Sequence, residues 1–433
     1  MELQSVRENN RNTAGISPAV IADVSLGGNN LILLHTILII LAIFALICIW
    51  FIIDFTIARR LHEKHTPPYT EPPVRNSDVQ FFARGDKLFN HMFGEIEQAE
   101  DHIHMLFYIF RADDISKEMI NRLMDKAREG VEVRLMVDFM GFRISRKLKK
   151  EIRKSGVHLS ITHRPSLPFL FYSANKRNHR KITVIDGRTA YIGGYNVGDE
   201  YLGRDPSFGP WRDYHLCVTG EAVNDLQDIF LRDWEAASGE DIIGENRYYP
   251  EQKPGSKTIQ ILASNGSHIE DAALKLIKTA ENTLIIGTPY FVPGREVKNA
   301  LIQAAKRGVD IRVIIPKNPD HPLVIHAAYP YFRELIEAGV NIHMYFQGFY
   351  HSKAIIVDDK VCDIGTANFD KRSFRINREV NCLIHNEQWI RQVMVQVNED
   401  LNRSDRVTIE HLNNRSLLKR GKETLASLLS PLI

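Results

Sequence analysis

The chain has 433 residues, 44% of them hydrophobic and 25% charged, with a formal net charge of +2. That length suits two ordinary domains, and that composition a globular chain rather than a disordered one. A nearly neutral balance disfavours a nucleic-acid-binding protein, which is expected to be basic. The four cysteines stand singly, without a CxxC pair or metal-ligand spacing, and read as buried reduced thiols of a reducing compartment.

After an N-terminal tail, 1–30, residues 31–53 carry no formal charge. A helix of that length, at about 1.5 Å per residue, spans roughly 34 Å, enough for a hydrocarbon core of about 30 Å. A cleaved signal peptide fits less well. The run starts thirty residues in, no small-residue cleavage pattern follows it, and it exceeds the usual apolar region of about 7–15 residues. Apolarity on every face also argues against a core helix. Arg59, Arg60 and Lys64 follow the run closely, whereas the nearest base before it is Arg11. Positive charge stays inside, so a single-pass protein of the cell membrane with a cytoplasmic C-terminal part is expected. The Asn-x-Ser triplets at Asn265, Asn402 and Asn414 are then chance matches. Residues 54–78, with Pro67, Pro68, Pro72 and Pro73, read as a proline-rich linker. The folded region is expected to begin at Val79.

Two stretches then repeat one order of elements. The first runs from Ile96-Glu97-Gln98-Ala99-Glu100 through an apolar strand to Tyr108, a helix ending at Gly130 and an alternating strand, 131–137. The second runs from Ile277-Lys278-Thr279-Ala280-Glu281 through an apolar strand to Tyr290, a helix ending at Gly308 and a strand, 309–315. Both continue to a similar stop, Ser155-Gly156-Val157-His158 and Ala338-Gly339-Val340-Asn341, with glycine where a helix C-cap is expected. Alternating strands and helices predict an α/β fold. Two tandem domains, 79–245 and 255–433, are expected, each a mainly parallel mixed sheet flanked by helices and related by a pseudo-twofold.

Each half then carries the same constellation. His179, Lys181 and Asp186 are followed by Gly193 and Asn196; His351, Lys353 and Asp358 are followed by Gly365 and Asn368, at identical spacing. On a strand, positions i and i+2 share a face, so each half presents an imidazole beside an ammonium. Joined by the pseudo-twofold, these groups would surround one anion, with Asn196 and Asn368 adding amide donors. A phosphodiester needs this: two lysines offset its charge, one neutral imidazole attacks phosphorus, and the other donates a proton to the leaving oxygen. Each imidazole needs an orienting carboxylate. Asp213 and Glu379 are the candidates, one per half, so that each half builds half a site; Ser373 is a further hydrogen-bond donor. Asp186 and Asp358 belong to the motif but have the opposite strand parity, which predicts structural bonds away from the phosphate. Neighbouring lysines would repel a metal cation.

The paired HxKx4Dx6GxxN motif resembles that of the phospholipase D superfamily, over the chain from about Val79 onward. Within it the sequence is most similar to bacterial cardiolipin synthases. The supporting segments include Tyr108-Ile109-Phe110-Arg111-Ala112-Asp113-Asp114, Trp211-Arg212-Asp213, Thr288-Pro289-Tyr290-Phe291-Val292-Pro293 and the ending Leu428-Leu429-Ser430-Pro431-Leu432-Ile433. The resemblance implies two tandem phospholipase D-like domains and a phosphatidyl transfer between two phosphatidylglycerols through a phosphatidyl-histidine. It implies no cofactor or metal, an anionic phospholipid partner and no nucleic acid. It favours His179 as nucleophile and His351 as acid and base. Members of this type often carry two N-terminal membrane segments; this sequence shows one. The same site suits hydrolysis as well, by a phospholipase D or a membrane-anchored nuclease. A non-catalytic scaffold is disfavoured because both motifs are intact.

Three further segments bear on membranes. Residues 143–154 form a basic helix with an apolar stripe, suited either to anionic lipid or to solvent. The apolar insertion 165–172 has no counterpart in the second half and suits either lipid or core. Residues 409–433 read as an amphipathic helix docked on the enzyme.

Overall fold

The computed structural model describes the backbone of residues 18–415, 421–423 and 426, and the side chains of these from residue 32 onward except 322 and 323. The chain divides into two units, Met1–Leu61 and His62–Ile433. A single helix, Pro18–His65, runs through the expected 31–53 span and past it at both ends. Residues 54–65, expected as linker, are helical, because nothing in that stretch breaks a helix before Pro67. From Ile32 onward this helix is long and apolar enough to cross a membrane, with a mean hydropathy of 3.2 in its most apolar window.

Among the described residues of the second unit, fifteen strands form one continuous sheet. Near its centre, Val74–Phe82 pairs antiparallel with His215–Gly220 on one side and with Lys257–Asn265 on the other. The expected start at Val79 therefore falls inside a strand that begins five residues earlier. Outward from His215–Gly220 lie Thr189–Gly193, Ile182–Ile185, His102–Phe107, Glu132–Asp138 and His158–Thr162. Outward from Lys257–Asn265 lie Arg378–His385, Val361–Gly365, Ala354–Val357, Thr283–Gly287, Asp310–Pro316 and Asn341–Tyr345, with Ser404–Arg406 at the edge. The two halves thus mirror each other about the pairing of their first strands, and their sheets fuse.

The expectation of mainly parallel sheets is corrected. In each half only the three strands linked by helical crossovers run parallel. The motif strands pair antiparallel, because each leads into a tight hairpin. Asp186 and Gly187 have φ of 51° and 61°, and Asp358 and Asp359 both have 51°, the left-handed conformation of the two central residues of turns closed by Arg188 N–H on the Ile185 carbonyl and Lys360 N–H on the Val357 carbonyl.

Helices cover both faces. Asp114–Arg128, capped by the Asp113 side chain, packs Met119, Leu123 and other apolar groups onto the first half. Gly294–Lys306 occupies the matching place in the second half. On the other face the long helices Ala222–Ser238 and Glu387–Asn402 bury Phe230, Trp234, Trp389 and Val393 in one core shared by both halves. The basic helix Arg146–Lys154 is capped by Ser145 and buries Ile152. The insertion is mixed: Tyr172 is buried, whereas Leu167 is 75% exposed. At the C-terminal end a short helix, Ile409–Asn413, is capped by Thr408. The rest of the expected amphipathic helix lies mostly outside the described residues.

Candidate active site

His179 and His351 lie just before their motif strands, which begin only at Ile182 and Ala354. Their backbones are pinned to the opposite half of the chain. His179 N–H donates to the Arg378 carbonyl (2.9 Å), and Arg378 N–H to the Arg177 carbonyl (2.9 Å). His351 N–H donates to the Arg212 carbonyl (2.7 Å), continuing the parallel pairing of Phe349–Tyr350 with Trp211–Arg212. Arg378 and Arg212 each precede a carboxylate. The backbone therefore hands each histidine the carboxylate of the other half: His179 Nδ1 lies 2.9 Å from Glu379 Oε2, and His351 Nδ1 lies 2.6 Å from Asp213 Oδ2. The expectation that each half supplies its own complete set is corrected, since the carboxylates are exchanged.

An ionised carboxylate only accepts, so Nδ1 of each ring carries the proton and Nε2 is left for chemistry. Both carboxylates are fully buried, and both histidines are 8% exposed. Burial pushes Glu379 up, but His179, Lys181 and the Thr366 hydroxyl (2.6 Å) more than offset it and hold the acid below its ordinary value. For Asp213 burial is likewise outweighed, by Lys353 and His351.

The two lysines flank the rings from deeper in the protein. Lys181 Nζ donates to the His179 carbonyl (2.7 Å), and Lys353 Nζ to the His351 carbonyl. Lys353 Nζ also stands 2.8 Å from His351 Nδ1, but two donors cannot bond each other, so Asp213 takes the Nδ1 proton. Burial lowers Lys181 to about 7, with Glu379 opposing, and lowers Lys353 to about 8, with Asp213 opposing. Burial also lowers both imidazoles to about 4. The neighbours of the two rings differ. Glu379 raises His179, while Lys181 and Lys353 lower it. Lys353 lowers His351, while Asp213 and Asp320 raise it.

Asp186 and Asp358 sit in the hairpins at the far ends of their strands. Asp186 accepts the N–H groups of Glu100, Asp101 and His102 at 2.8–2.9 Å. Asp358 accepts those of Glu281, Asn282 and Thr283 at 2.7–2.8 Å. Each aspartate thus ties its hairpin to the start of the neighbouring parallel strand. Both carboxylates are engaged with backbone, each at the end of its strand away from the histidine. Asn196 is also committed to the protein. Its Oδ1 accepts from Ile109 N–H (3.0 Å), and its amide donates to the Tyr201 hydroxyl (3.2 Å), which fixes the loop carrying Tyr108. Asn368 is buried, with its N–H donated to Ser373 Oγ (3.2 Å), so Ser373 shapes the loop of Asn368.

Several contributors escaped the sequence reading. Tyr108 packs edge-on against His179, with centroids 5.1 Å apart, and Trp211 lies 4.9 Å from His351. Tyr290, at the repeat position of Tyr108, donates to Asp320 (2.6 Å). Arg180, between the motif His and Lys, crosses to the second half and donates to the carbonyls of Glu379 (3.1 Å) and Ser264 (2.9 Å). Asp233 holds Asn178, Arg180 and Arg378 at 2.7–2.8 Å. Repeat position alone pointed to the Tyr108 and Tyr290 pair. Arg180 carries no signal in sequence, because its repeat position is Ser352, whereas Asp233 has a counterpart in Asp400, which pairs with Arg212 (3.1 Å). Among the described residues no group of three or more His, Cys, Asp or Glu side chains is arranged to hold a metal ion.

A duplicated α/β fold whose two histidines converge from the two halves, each ring backed by a buried carboxylate and a lysine, defines an enzyme of the two-histidine phosphodiester-transfer class. The model of the family described as "Cardiolipin synthase, PLD-like domain" matches residues 92–234 and 273–401, and the chain belongs to that family. It is 40% identical to the minor cardiolipin synthase ClsB of Bacillus subtilis (strain 168) over 396 residues, which cover 91% of this chain and 97% of that one. It is 40% identical to a cardiolipin synthase of Clostridium perfringens (strain 13 / Type A) over 370 residues, covering 83% and 78%. The crystal structure of phosphatidylserine synthase from Haemophilus influenzae Rd KW20 shares the fold, with a TM-score of 0.67, 15% identity, and 84% and 97% of the two chains covered.

Proposed function

We propose that the enzyme makes cardiolipin and glycerol from two molecules of phosphatidylglycerol. The observation that carries the mechanism is the crossed pairing of each histidine with the other half's carboxylate. Neutral His179, on which Lys181 and Lys353 oppose Glu379, attacks phosphorus through Nε2. His351, on which Asp213 and Asp320 oppose Lys353, gives its proton to the departing glycerol oxygen as the P–O bond breaks. The negative charge of the bound phosphodiester favours that proton on His351. The hydroxyl of a second phosphatidylglycerol then attacks phosphorus, His351 takes its proton, and the P–N bond to His179 breaks. Lys181 and Lys353 offset the charge that builds on the phosphoryl oxygens. The apolar helix anchors the catalytic unit to the membrane, and the basic residues after it favour the cytoplasmic side.

Liposomes of phosphatidylglycerol incubated with the protein should release glycerol and accumulate cardiolipin, identified by mass. Phosphatidic acid as the sole product would overturn transfer in favour of hydrolysis.

A further inference from the structure

Beyond the reacting centre, an open pocket is lined by His62 and His65, by Pro67 and Pro68, and by Lys176, His268 and Arg378. Its charge is unbalanced. Lys176, Arg180 and Arg378 lie close together, and Asp233 is the carboxylate that pairs with both arginines, at 2.7 Å each. Lys176 Nζ bonds only His62 Nδ1 (3.2 Å), and among the described residues no carboxylate forms an ion pair with it. Burial, then repulsion by Arg378 and Arg180, lowers Lys176 to about 8. His268 Nε2 is buried in the same region with no hydrogen-bond partner among the described residues, while its Nδ1 stands 3.4 Å from Asp271.

Lys176 and Arg378 line the pocket and, among the described residues, no carboxylate does, and Asp233 is already shared between the two arginines, so Lys176 is open to one more negative charge bearing several acceptor oxygens. A metal cation would be repelled there. The chain also supplies a reason for the ligand to be a lipid: His62 and His65 follow within a dozen residues the run long enough to cross a bilayer. We propose that this pocket binds the phosphate of an anionic phospholipid, a second lipid site beside the one where the phosphoryl group reacts. It adjoins the reacting site through Arg378, whose carbonyl holds the His179 backbone and whose guanidinium lines the pocket. The proposal rests on the reading of the enzyme as one that joins two phosphatidylglycerols.

The test uses the full-length chain in mixed vesicles, with phosphatidylglycerol varied as a surface fraction in phosphatidylcholine. In Lys176→Gln the KM for phosphatidylglycerol should rise about tenfold, the scale of one charge-assisted hydrogen bond. Its kcat should stay within about twofold, and Lys176→Arg should restore KM. An unchanged KM, or a loss of kcat alone with lowered thermal stability, overturns the proposal and leaves Lys176 a structural residue. Inorganic phosphate added to the wild type separates the two sources of the same chemistry. If it raises KM only at concentrations far above those of the lipid, the headgroup assignment stands. If it competes as tightly as the lipid, the site belongs to free phosphate and the assignment falls. A wild type that forms no cardiolipin overturns the underlying reading as well, whereas a wild type that forms it with a KM equal to that of Lys176→Gln overturns the pocket alone.

Discussion

Glu379 Oε2 stands 2.9 Å from His179 Nδ1 although 200 residues of chain separate them. The reciprocal pair, His351 and Asp213, spans 138 residues at 2.6 Å. Each contact follows from a backbone hydrogen bond one residue away, so the two halves cannot shift without undoing both triads. Glu379→Gln and Asp213→Asn keep the shape of each side chain but remove the charge that fixes the tautomer. Each should lower cardiolipin formation by about 10²–10⁴-fold with an unchanged circular dichroism spectrum. Near-normal turnover in either variant would mean that the buried carboxylates do not orient the rings.

The difference between the rings gives a sharper expectation. A phosphatidyl ester of p-nitrophenol has a leaving group that needs no proton. His351→Ala should therefore still release a burst of p-nitrophenol from that substrate and trap a phosphatidyl-enzyme, seen by mass on the peptide carrying His179. His179→Ala should give no burst. The opposite pattern would reverse the roles of the two histidines. By the crossed pairing, Asp213→Asn should spare the burst and Glu379→Gln should suppress it.

How far such details are legible in the sequence depends on how far apart the residues lie. The His, Lys, Asp and Asn of each motif fall within a stretch of eighteen residues, and their duplication made them readable. Which carboxylate serves which histidine was not readable. That depends on the parallel pairing of Phe349–Tyr350 with Trp211–Arg212 and on its counterpart at Arg378, and local pattern does not encode contacts between distant segments. The proportion of parallel strands was misjudged for a related reason. A strand following a helix suggests a parallel crossover, but the strands after each motif return by hairpins and pair antiparallel.

Burial sets a pH signature. Both imidazoles are lowered from 6.5 to about 4, so the folded protein holds them neutral where an unfolded chain would protonate them. Between pH 6.5 and 4 the unfolded state binds more protons at these two sites, and their contribution makes stability fall as pH falls through that window. By nitrogen-15 NMR both rings should stay neutral at pH 5.5. Thermal stability should decline less on acidification from pH 6.5 to 4.5 in His179→Gln and His351→Gln than in wild type. Rings that titrate near 6.5 would show that water reaches them freely.

Asp186 and Asp358 should behave unlike their motif partners. Each accepts three backbone N–H groups, and removal of the carboxylate strands those donors. Asp186→Ala and Asp358→Ala should each cost about 1–3 kcal/mol of stability, read as a lowered denaturation midpoint. The folded fraction should retain turnover within about tenfold, far above the 10²–10⁴-fold loss expected for groups that act on protons. A complete loss of activity at unchanged stability would restore them to the chemistry.

The last expectation comes from the place where the two halves differ. Thr366 donates its hydroxyl to Glu379, and Gly194 is the matching residue of the first half. There is no room for a side chain there, because a Cβ on Gly194 would overlap both carboxylate oxygens of Asp213. The shorter acid of the first half occupies the space that a hydroxyl uses in the second. Gly194→Ala should therefore displace Asp213 and uncouple His351, lowering cardiolipin formation at least about 10²-fold. It should leave the p-nitrophenol burst intact, as Asp213→Asn does. Thr366→Ser keeps the hydroxyl and should stay close to wild type, while Thr366→Ala should lose about tenfold, the scale of one hydrogen bond to a charged group. If Gly194→Ala turns over as wild type does, Asp213 can move without cost, and the tight fit of the first-half triad is not what orients His351.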